Sequence, residues 1–263
     1  MASSTRQSRK LAQEILERDG VSSIEFASEL FAISNALAES PQLRTALTDP
    51  ASDSAGKLRL IKSLFGKQIS PKAHLIVEQL TVLRWSKPSD LAAATELLGV
   101  RSLAGSVKSA RELANELFQV QRVISSDSEL ELAIGARRLS IESRSKLLEK
   151  LFGSKVSDAC SLLLRQCLRS NLAKRVPQVL AGFADQVAAY ADEQVAVVSV
   201  AKPLSATQLK RLAEALTGRF GRELQLNVVL DPKLVGGVRV SVGGEVIDAS
   251  IKSRISQARL QLG

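Results

Sequence analysis

The residue types that most often carry out chemistry in proteins are scarce in this chain. Among its 263 residues there is one histidine, His74. A two-histidine metal motif is therefore excluded, and a Ser-His-Asp or Cys-His mechanism would have to use His74. Because His74 lies in an apolar run with helical spacing, we expect an ordinary helix residue rather than a catalytic base.

The two cysteines, Cys160 and Cys167, are seven residues apart. On a helix this spacing places both thiols on one face, about 10 Å apart, which is too far for a disulfide bond. No partner ligands accompany them, so a zinc site is not expected either. We predict two small buried side chains in a protein of a reducing compartment.

The glycine pairs are the remaining candidates for a ligand-binding loop. Gly236 and Gly237 precede a strand pattern, and no G-x-G-x-x-G sequence opens a helix, so a dinucleotide loop is not expected. Gly66-Lys67 is not a Walker loop, because Ile61 takes the place of the first Walker glycine. We predict hairpin and bulge positions for these glycines, and no catalytic, cofactor-binding or metal site in the chain.

The composition is aliphatic and basic. Hydrophobic residues make up 45% of the chain, aromatic residues only 3%, and the formal net charge is +9. Residues 1–105 and 106–193 each hold 13 Lys and Arg against 11 Asp and Glu, whereas residues 194–263 hold 10 against 5. This last basic excess could meet an acidic partner, a phosphate backbone or an anionic membrane surface. The scarcity of aromatic side chains argues against recognition of single-stranded nucleic acid.

No stretch approaches the roughly 20 apolar residues of a membrane-spanning helix. The Ser- and Arg-rich start is similar to a transit peptide, but it passes at once into a helical pattern from Leu11 to Glu17. We therefore expect the protein to stay in the compartment where it is made.

An internal repeat organises the first three-quarters of the chain. A gapless shift of 87 residues pairs many residues of the core type. Examples are Leu30 with Leu117, Phe31 with Phe118, Leu43 with Leu130, Leu60 with Leu147, Ile76 with Leu163, and Leu64-Phe65-Gly66 with Leu151-Phe152-Gly153. Apolar residues recur three and four positions apart, which predicts amphipathic helices of a duplicated bundle with these stripes in its core.

Helix boundaries are predicted at equivalent places in the two copies. Gly66 and Gly153 each follow the last apolar residue of a helix, where a left-handed cap conformation favours glycine. Ser70 and Ser157 resemble the start signals of the next helix.

The pattern changes after about Gln194. Ser205 is placed to cap a helix, Gly243-Gly244 supplies a hairpin turn, and a last helix is predicted from Ser250 to Leu262. Strands are predicted from Val195 to Val200, Leu224 to Leu230, Val238 to Val242 and Glu245 to Asp248.

The predicted fold class is therefore mainly α, with duplicated N-terminal helical bundles and a small C-terminal α+β domain. The predicted domains are a first helical module (1–104), a second helical module (105–193) and the α+β domain (194–263).

The segment from Asp231 to Ile255 resembles a known signature. Its order is an acidic residue, a Gly-Gly pair, an alternating strand, a glycine, the sequence Val-Ile-Asp-Ala-Ser and a basic helix. It resembles the delta subunit of F-type ATP synthase, the bacterial relative of the oligomycin-sensitivity-conferring protein. Seven residues carry the resemblance, and we predict a structural role for them: Asp231, Gly236, Gly237, Gly243, Asp248, Ser250 and Arg254.

Two departures from the family pattern are mild. Gly244 stands where the family often has an acidic residue, and Ala249 replaces its usual glycine. The resemblance covers residues 105–263 well, and residues 1–104 are an extra helical copy that resembles the long form of high-G+C Gram-positive bacteria.

The resemblance implies a mechanical role. In this family the helical domain grips the N-terminal helices of the alpha subunits, and the C-terminal domain holds the ends of the membrane-anchored b subunits. It implies a non-catalytic stator subunit, peripheral on the cytoplasmic side of a bacterial cell membrane, with no cofactor and no nucleic acid partner. An aliphatic bundle suits this role, because helix-in-groove surfaces need apolar anchors and no titrating site. The basic C-terminal excess would suit charged b helices.

Three other functions are kept as alternatives. An isoelectric point near 9.8 suggests a basic RNA-binding protein, although stacking aromatics and a GXXG clamp loop are lacking. A helical-repeat scaffold unrelated to ATP synthase would share the bundle without needing the signature from Asp231 to Arg254. An enzyme that uses carboxylates alone is the least favoured.

Overall fold

The computed structural model describes residues 3–66, 68–136, 138–170, 175–193, 195–220, 224–232, 234, 236–242 and 245–250. Over these ranges the chain forms twelve helices and four strands, so the predicted mainly α fold with a small α+β domain is confirmed. The helices are α1 (Ser3–Asp19), α2 (Ile24–Glu39), α3 (Pro41–Thr48), α4 (Ser54–Phe65), α5 (Pro71–Val82), α6 (Ser89–Ser106), α7 (Ala110–Ser126), α8 (Ser128–Gly135), α9 (Ile141–Phe152), α10 (Asp158–Arg169), α11 (Val176–Glu193) and α12 (Ala206–Phe220). The strands are β1 (Val195–Val200), β2 (Gln225–Leu230), β3 (Gly237–Val242) and β4 (Glu245–Ser250).

The chain divides into two compact units, Met1–Ala188 and Ala189–Gly263. We call the first the helical unit and the second the C-terminal unit. The finer domain limits, after residues 104 and 193, stay predictions.

The repeat of 87 residues is visible in the helix boundaries. Helices α3, α4, α5 and α6 begin and end 87 residues before α8, α9, α10 and α11, respectively. To within one residue, α6 also lies 87 residues after α1. It is therefore the last helix of one copy and the first helix of the next. We call helices α1–α6 module 1 and helices α6–α11 module 2.

The predicted helix starts are confirmed in both copies. The hydroxyl of Ser70 accepts from the Ala73 N–H at 3.3 Å, and that of Ser157 accepts from the Cys160 N–H at 3.2 Å. Each hydroxyl also donates to the carboxylate of a glutamate on the second helix of its copy, Glu29 or Glu116, at 2.6 Å. The two copies thus share a detailed polar contact in addition to their apolar pattern.

The predicted left-handed cap is wrong for Gly153. Gly66 has φ +40°, a value that favours glycine, whereas Gly153 has φ −54° and ψ −33°, which is right-handed. The Gly66 N–H donates to the Lys62 carbonyl at 2.9 Å, and the Gly153 N–H makes the equivalent bond to the Glu149 carbonyl at 2.8 Å. A Cβ at Gly153 would lie 2.5 Å from that oxygen, so close approach rather than backbone handedness explains this glycine.

The core of module 1 contains one close approach of a ring to a helix backbone. Phe31 of α2 is 3% exposed, and a Cβ added to Gly99 of α6 would lie 2.6 Å from its Cε1 atom. A core cluster of module 1 includes Leu30, Ile33, Leu37, Leu47, Ile61, Ile76, Leu80, Leu91 and Leu98. Helix α2 therefore packs tightly against α6.

Two residues predicted to lie in the core are exposed. Phe118, the repeat equivalent of Phe31, is 55% exposed. Gln186 stands 87 residues after Gly99, so module 2 lacks the small residue that makes room for the ring. Leu64 is also exposed, because α4 turns Ile61 and Phe65 inward, and it lines a groove of about 370 Å³ beside α2 and α3.

The C-terminal unit contains a sheet with strand order β2-β1-β3-β4. Strand β1 is parallel to β2 and antiparallel to β3, and β3 is antiparallel to β4. Helix α12 connects the parallel pair, as a crossover requires. Its Leu216 packs on one face of the sheet, with Ala196, Val198, Val200, Val240 and Val242.

The predicted cap of α12 is confirmed, since the Ser205 hydroxyl accepts from the Gln208 N–H at 3.3 Å. Two other predicted features fall partly or wholly outside the described residues. Strands β3 and β4 pair as a hairpin with Val242 opposite Glu245, but Gly243 and Gly244 lie outside. Ser250, predicted to open the last helix, ends β4, and residues 251–262 lie outside as well.

Candidate partner-binding faces

His74 lies on a helix, as predicted. It lies on α5, and its Nε2 atom is 2.9 Å from the carbonyl oxygen of Gly66. Within the described residues, no three His, Cys, Asp or Glu side chains are grouped so that they could hold a metal ion.

Both cysteines lie on α10 and are free and buried, which confirms the prediction of small buried side chains without a disulfide. Burial raises the pKa of Cys160 and of Cys167 to about 12. The carboxylates of Glu116 and Glu96, respectively, act in the same direction. At neutral pH both thiols are therefore protonated, which makes them poor nucleophiles and poor metal ligands.

The signature residues that the structure describes lie at the ends and on one face of the sheet. Asp231 follows β2, and its N–H donates to the Val200 carbonyl at 2.9 Å. Gly236 precedes β3, and Gly237 opens it with φ +83°, opposite Ser250. Gly243 and Arg254 lie outside the described residues. The proposed structural role of this set stays a prediction.

Asp248 is the signature residue with a clear electrostatic partner. Its Oδ2 atom lies 2.9 Å from the Arg239 guanidinium across β3 and β4. Because side chains alternate between the two faces of a strand, this pair lies on the face opposite α12. Val197, Val229 and Val246 are exposed on the same face. We call Val197, Val229, Arg239, Val246 and Asp248 the open sheet face. It consists of three valines and the ion pair between Arg239 and Asp248.

Helices α1 and α5 of module 1 present a second face with exposed apolar side chains. Leu11 of α1 is 39% exposed, and Leu75 and Val82 of α5 are 42% and 69% exposed. Gln79 lies between the two α5 residues on the same stripe. We call Leu11, Leu75, Gln79 and Val82 the α1/α5 face.

Hydrogen bonds at both ends of α1 hold it antiparallel to α5. Near the start of α1, the Ser8 hydroxyl donates to the Arg84 carbonyl at 2.5 Å. At its end, Gln79 Nε2 donates to Asp19 Oδ2 at 2.8 Å. The α1/α5 face therefore has a fixed geometry, with the end of α1 beside the middle of the α5 stripe.

The equivalent surface of module 2 is covered at two of its four positions, because Leu162 is half-buried and Arg169, in the place of Val82, is exposed. Leu98 of α6, Leu162 of α10 and Gln166 of α10 are identical to Leu11, Leu75 and Gln79 at the repeat distance of 87. Leu98 is fully buried, Gln166 is 3% exposed, and helix α2 of module 1 packs against both α6 and α10. One copy of this surface thus receives a helix, and the other copy is open.

A family model described as the ATP synthase delta (OSCP) subunit matches residues 100–262. The chain belongs to this family. The matched region begins inside α6 and contains the rest of module 2 and the C-terminal unit, where the signature lies. The resemblance inferred from that signature is confirmed.

Curated relatives extend the similarity to module 1. The chain is 38% identical to ATP synthase subunit delta of Leifsonia xyli subsp. xyli over 263 residues, covering 100% of this chain and 99% of the relative. It is 36% identical to that of Beutenbergia cavernae over 269 residues, with the same coverage. It is 37% identical to that of Thermobifida fusca over 237 residues, covering 89% and 88%.

As a member of the delta (OSCP) family, the chain is a subunit of the peripheral stalk of ATP synthase, and its partners are other subunits of that complex. The relatives give no support to the RNA-binding alternative. In the part of the chain that the structure describes, no helix has the length and apolar character needed to cross a membrane.

Sequence reasoning missed the α1/α5 face of this delta-family chain. The signal was available, because the repeat register extends upstream from Ala27 to Leu11 and pairs it with Leu98. The same apolar residue is thus buried on α6 and partly exposed on α1.

Proposed function

We propose that the chain is a non-catalytic stator subunit that clamps the catalytic alpha/beta hexamer to the membrane-anchored b subunits. The helical unit binds N-terminal helices of alpha subunits, and the C-terminal unit binds the ends of the b subunits. The chain is held at the cytoplasmic side of the cell membrane through the complex. Family membership supports this role. The α1/α5 face and the open sheet face are the candidate binding surfaces for the alpha and b subunits, respectively.

The α1/α5 face is the observation that carries the alpha assignment. In module 2 the equivalent surface receives α2, an amphipathic helix. In module 1 the same leucines and glutamine are presented without a covering helix in the described residues. A surface built to accept a helix and left open fits helix-in-groove recognition, in which exposed leucines anchor the partner.

The double substitution Leu11→Asp/Leu75→Asp is expected to weaken binding to the alpha/beta hexamer about 100-fold. Burial of each leucine is worth about 1.5–3 kcal/mol, and about 1.4 kcal/mol corresponds to a tenfold change in affinity. The measurement is titration of purified hexamer with the full chain by surface plasmon resonance. Circular dichroism verifies that the variant is folded.

The matched control is Leu132→Asp, which changes the same residue type at an exposed site on α8. It should leave the affinity for the hexamer within about twofold. An unchanged affinity of a folded double variant would show that the α1/α5 face is not the alpha site.

The b assignment rests on the charge of residues 194–263, with 10 basic and 5 acidic residues, and on the open sheet face. If charge attracts the b helices, affinity for purified b should fall at least tenfold as salt rises from about 0.05 to about 0.5 M, because the Debye length shortens. Fluorescence anisotropy of labelled b measures this. An affinity that does not change with salt would exclude the electrostatic contribution.

A further inference from the structure

Helix α2 has two roles in the helical unit. It is a core helix of module 1, through Leu30, Ile33 and Leu37. A neighbouring flank, through Asn35, contacts Gln166 of module 2, the equivalent of Gln79 in the α1/α5 face. The second role suggests that the duplication changes how many partner helices the chain can hold.

The contact of α2 with α6 is close and includes a buried polar bond. The ring of Phe31 lies where a side chain on Gly99 would be. Three residues further along α2, the Ser34 hydroxyl donates to the Ala92 carbonyl at 2.9 Å. Both contacts are buried, so α2 fits α6 without an intervening gap large enough for a second helix.

The contact of α2 with α10 is a reciprocal amide pair. Asn35 Nδ2 donates to Gln166 Oε1 at 3.0 Å, and Gln166 Nε2 donates to Asn35 Oδ1 at 3.1 Å. Gln166 Nε2 also donates to Glu96 Oε1 of α6 at 2.7 Å, and the Ser170 hydroxyl donates to the same carboxylate oxygen. We call Asn35, Glu96, Gln166 and Ser170 the module latch.

The module latch fixes how module 1 sits on module 2. Gln166 and Ser170 are buried, and Asn35 and Glu96 are half-buried. Polar groups withdrawn from water that satisfy one another favour one arrangement, because any other leaves a donor or acceptor without a partner. In module 1 the equivalent glutamine, Gln79, bonds instead to Asp19 and Arg18 at the surface. The same residue therefore serves as a buried joint in one copy and as part of an open face in the other.

We propose that α2 is the built-in occupant of the helix-binding surface of module 2, so that the two modules offer one open surface of this kind, the α1/α5 face. The occupant is a segment of the chain itself and stays in place when the chain assembles with its partners. The single remaining site takes an alpha helix, and this part of the proposal rests on the proposed function.

The first test concerns the occupant alone and needs no partner. In the full chain, Gln166→Ala removes the centre of the module latch. We expect hydrogen exchange of backbone amides, followed by mass spectrometry, to become about tenfold faster in both α2 and α10, since a broken buried network leaves unpaired polar groups. The matched variant Gln79→Ala should leave exchange in α2 and α10 unchanged. Faster exchange confined to α10 would show that α2 is not held there, and would overturn the proposal.

The second test counts sites. A synthetic peptide with the N-terminal sequence of the alpha subunit from the same ATP synthase is titrated into the full chain by isothermal calorimetry. We expect one peptide per chain, an affinity lowered at least tenfold by Leu75→Asp, and an affinity unchanged by Leu162→Asp. Two peptides per chain, or loss of affinity with Leu162→Asp, would overturn the single-site proposal.

The two tests distinguish failure of the alpha assignment from failure of the proposal that α2 is the built-in occupant. If no peptide binds while Gln166→Ala loosens α2 and α10 together, the alpha assignment fails and the built-in occupant stands. If one peptide binds at Leu75 while Gln166→Ala leaves α2 unaffected, the alpha assignment stands and the built-in occupant fails.

Discussion

Replacing Phe31 by alanine is expected to lower the free energy of unfolding of the helical unit by about 3–5 kcal/mol, the usual cost of truncating a buried phenylalanine. The ring is 3% exposed and lies against Gly99, so its removal leaves a cavity that the rigid helix pair fills only in part. Phe118→Ala should cost less than about 1 kcal/mol, because the equivalent ring is 55% exposed.

This pair is a strict comparison, because one substitution is made at two equivalent positions of a repeat. Urea unfolding of the full chain, followed by helical circular dichroism, gives the change in midpoint and slope for each variant. Equal losses for Phe31→Ala and Phe118→Ala would contradict the packing described for Gly99.

Leu30→Ala and Leu117→Ala should each lower the free energy of unfolding by about 2–5 kcal/mol. Both leucines are fully buried and occupy equivalent positions on α2 and α7. In contrast to the phenylalanines, the two copies are therefore expected to respond alike.

The same urea titration measures both leucine variants, with Leu132→Ala as the control. Leu132 is 73% exposed, so its truncation should change the free energy of unfolding by no more than about 0.5 kcal/mol. A loss confined to one of the two buried positions would show that the copies do not share a common core arrangement.

Most of the fold could be predicted from the sequence, because several local signals agree. Helical spacing, the repeat and the serine caps at Ser70 and Ser157 place α4, α5, α9 and α10, and the structure has the same boundaries 87 residues apart. In the C-terminal unit, strict alternation identifies β2 and β3, a β-branched run identifies β1, and the turn residues before it identify β4. Local signals of this kind act within a few residues and do not depend on the partner element.

The sequence is less informative where a residue depends on what lies opposite it. Phe31 and Phe118 have the same helical spacing, but one faces Gly99 and the other copy has Gln186 at the equivalent position. Gly66 and Gly153 both end a helix and make equivalent backbone hydrogen bonds, yet only the first has a positive φ. Periodicity identifies which side chains share one face of a helix, but it does not give the space that the facing helix leaves for them.

The candidate site was harder to predict than the fold for the same reason. An exposed leucine such as Leu11 and a buried one such as Leu98 give identical apolar patterns. The signature around Asp231 identified the family, but it could not show which helices of the helical unit are open. That distinction depends on the placement of α2, which only the three-dimensional arrangement supplies.

Sharing one helix between two modules has a mechanical consequence. Two modules joined by a flexible loop would have a hinge. A torque applied to one module would then bend the hinge and would not be transmitted to the other module. In this chain the 18 residues of α6 belong to both modules, and its side chains are buried nearly all the way round. A torque on module 1 would therefore be transmitted to module 2 through a continuous hydrogen-bonded helix. The torsional stiffness of α6 would then determine how much the angle between the two modules changes under that torque.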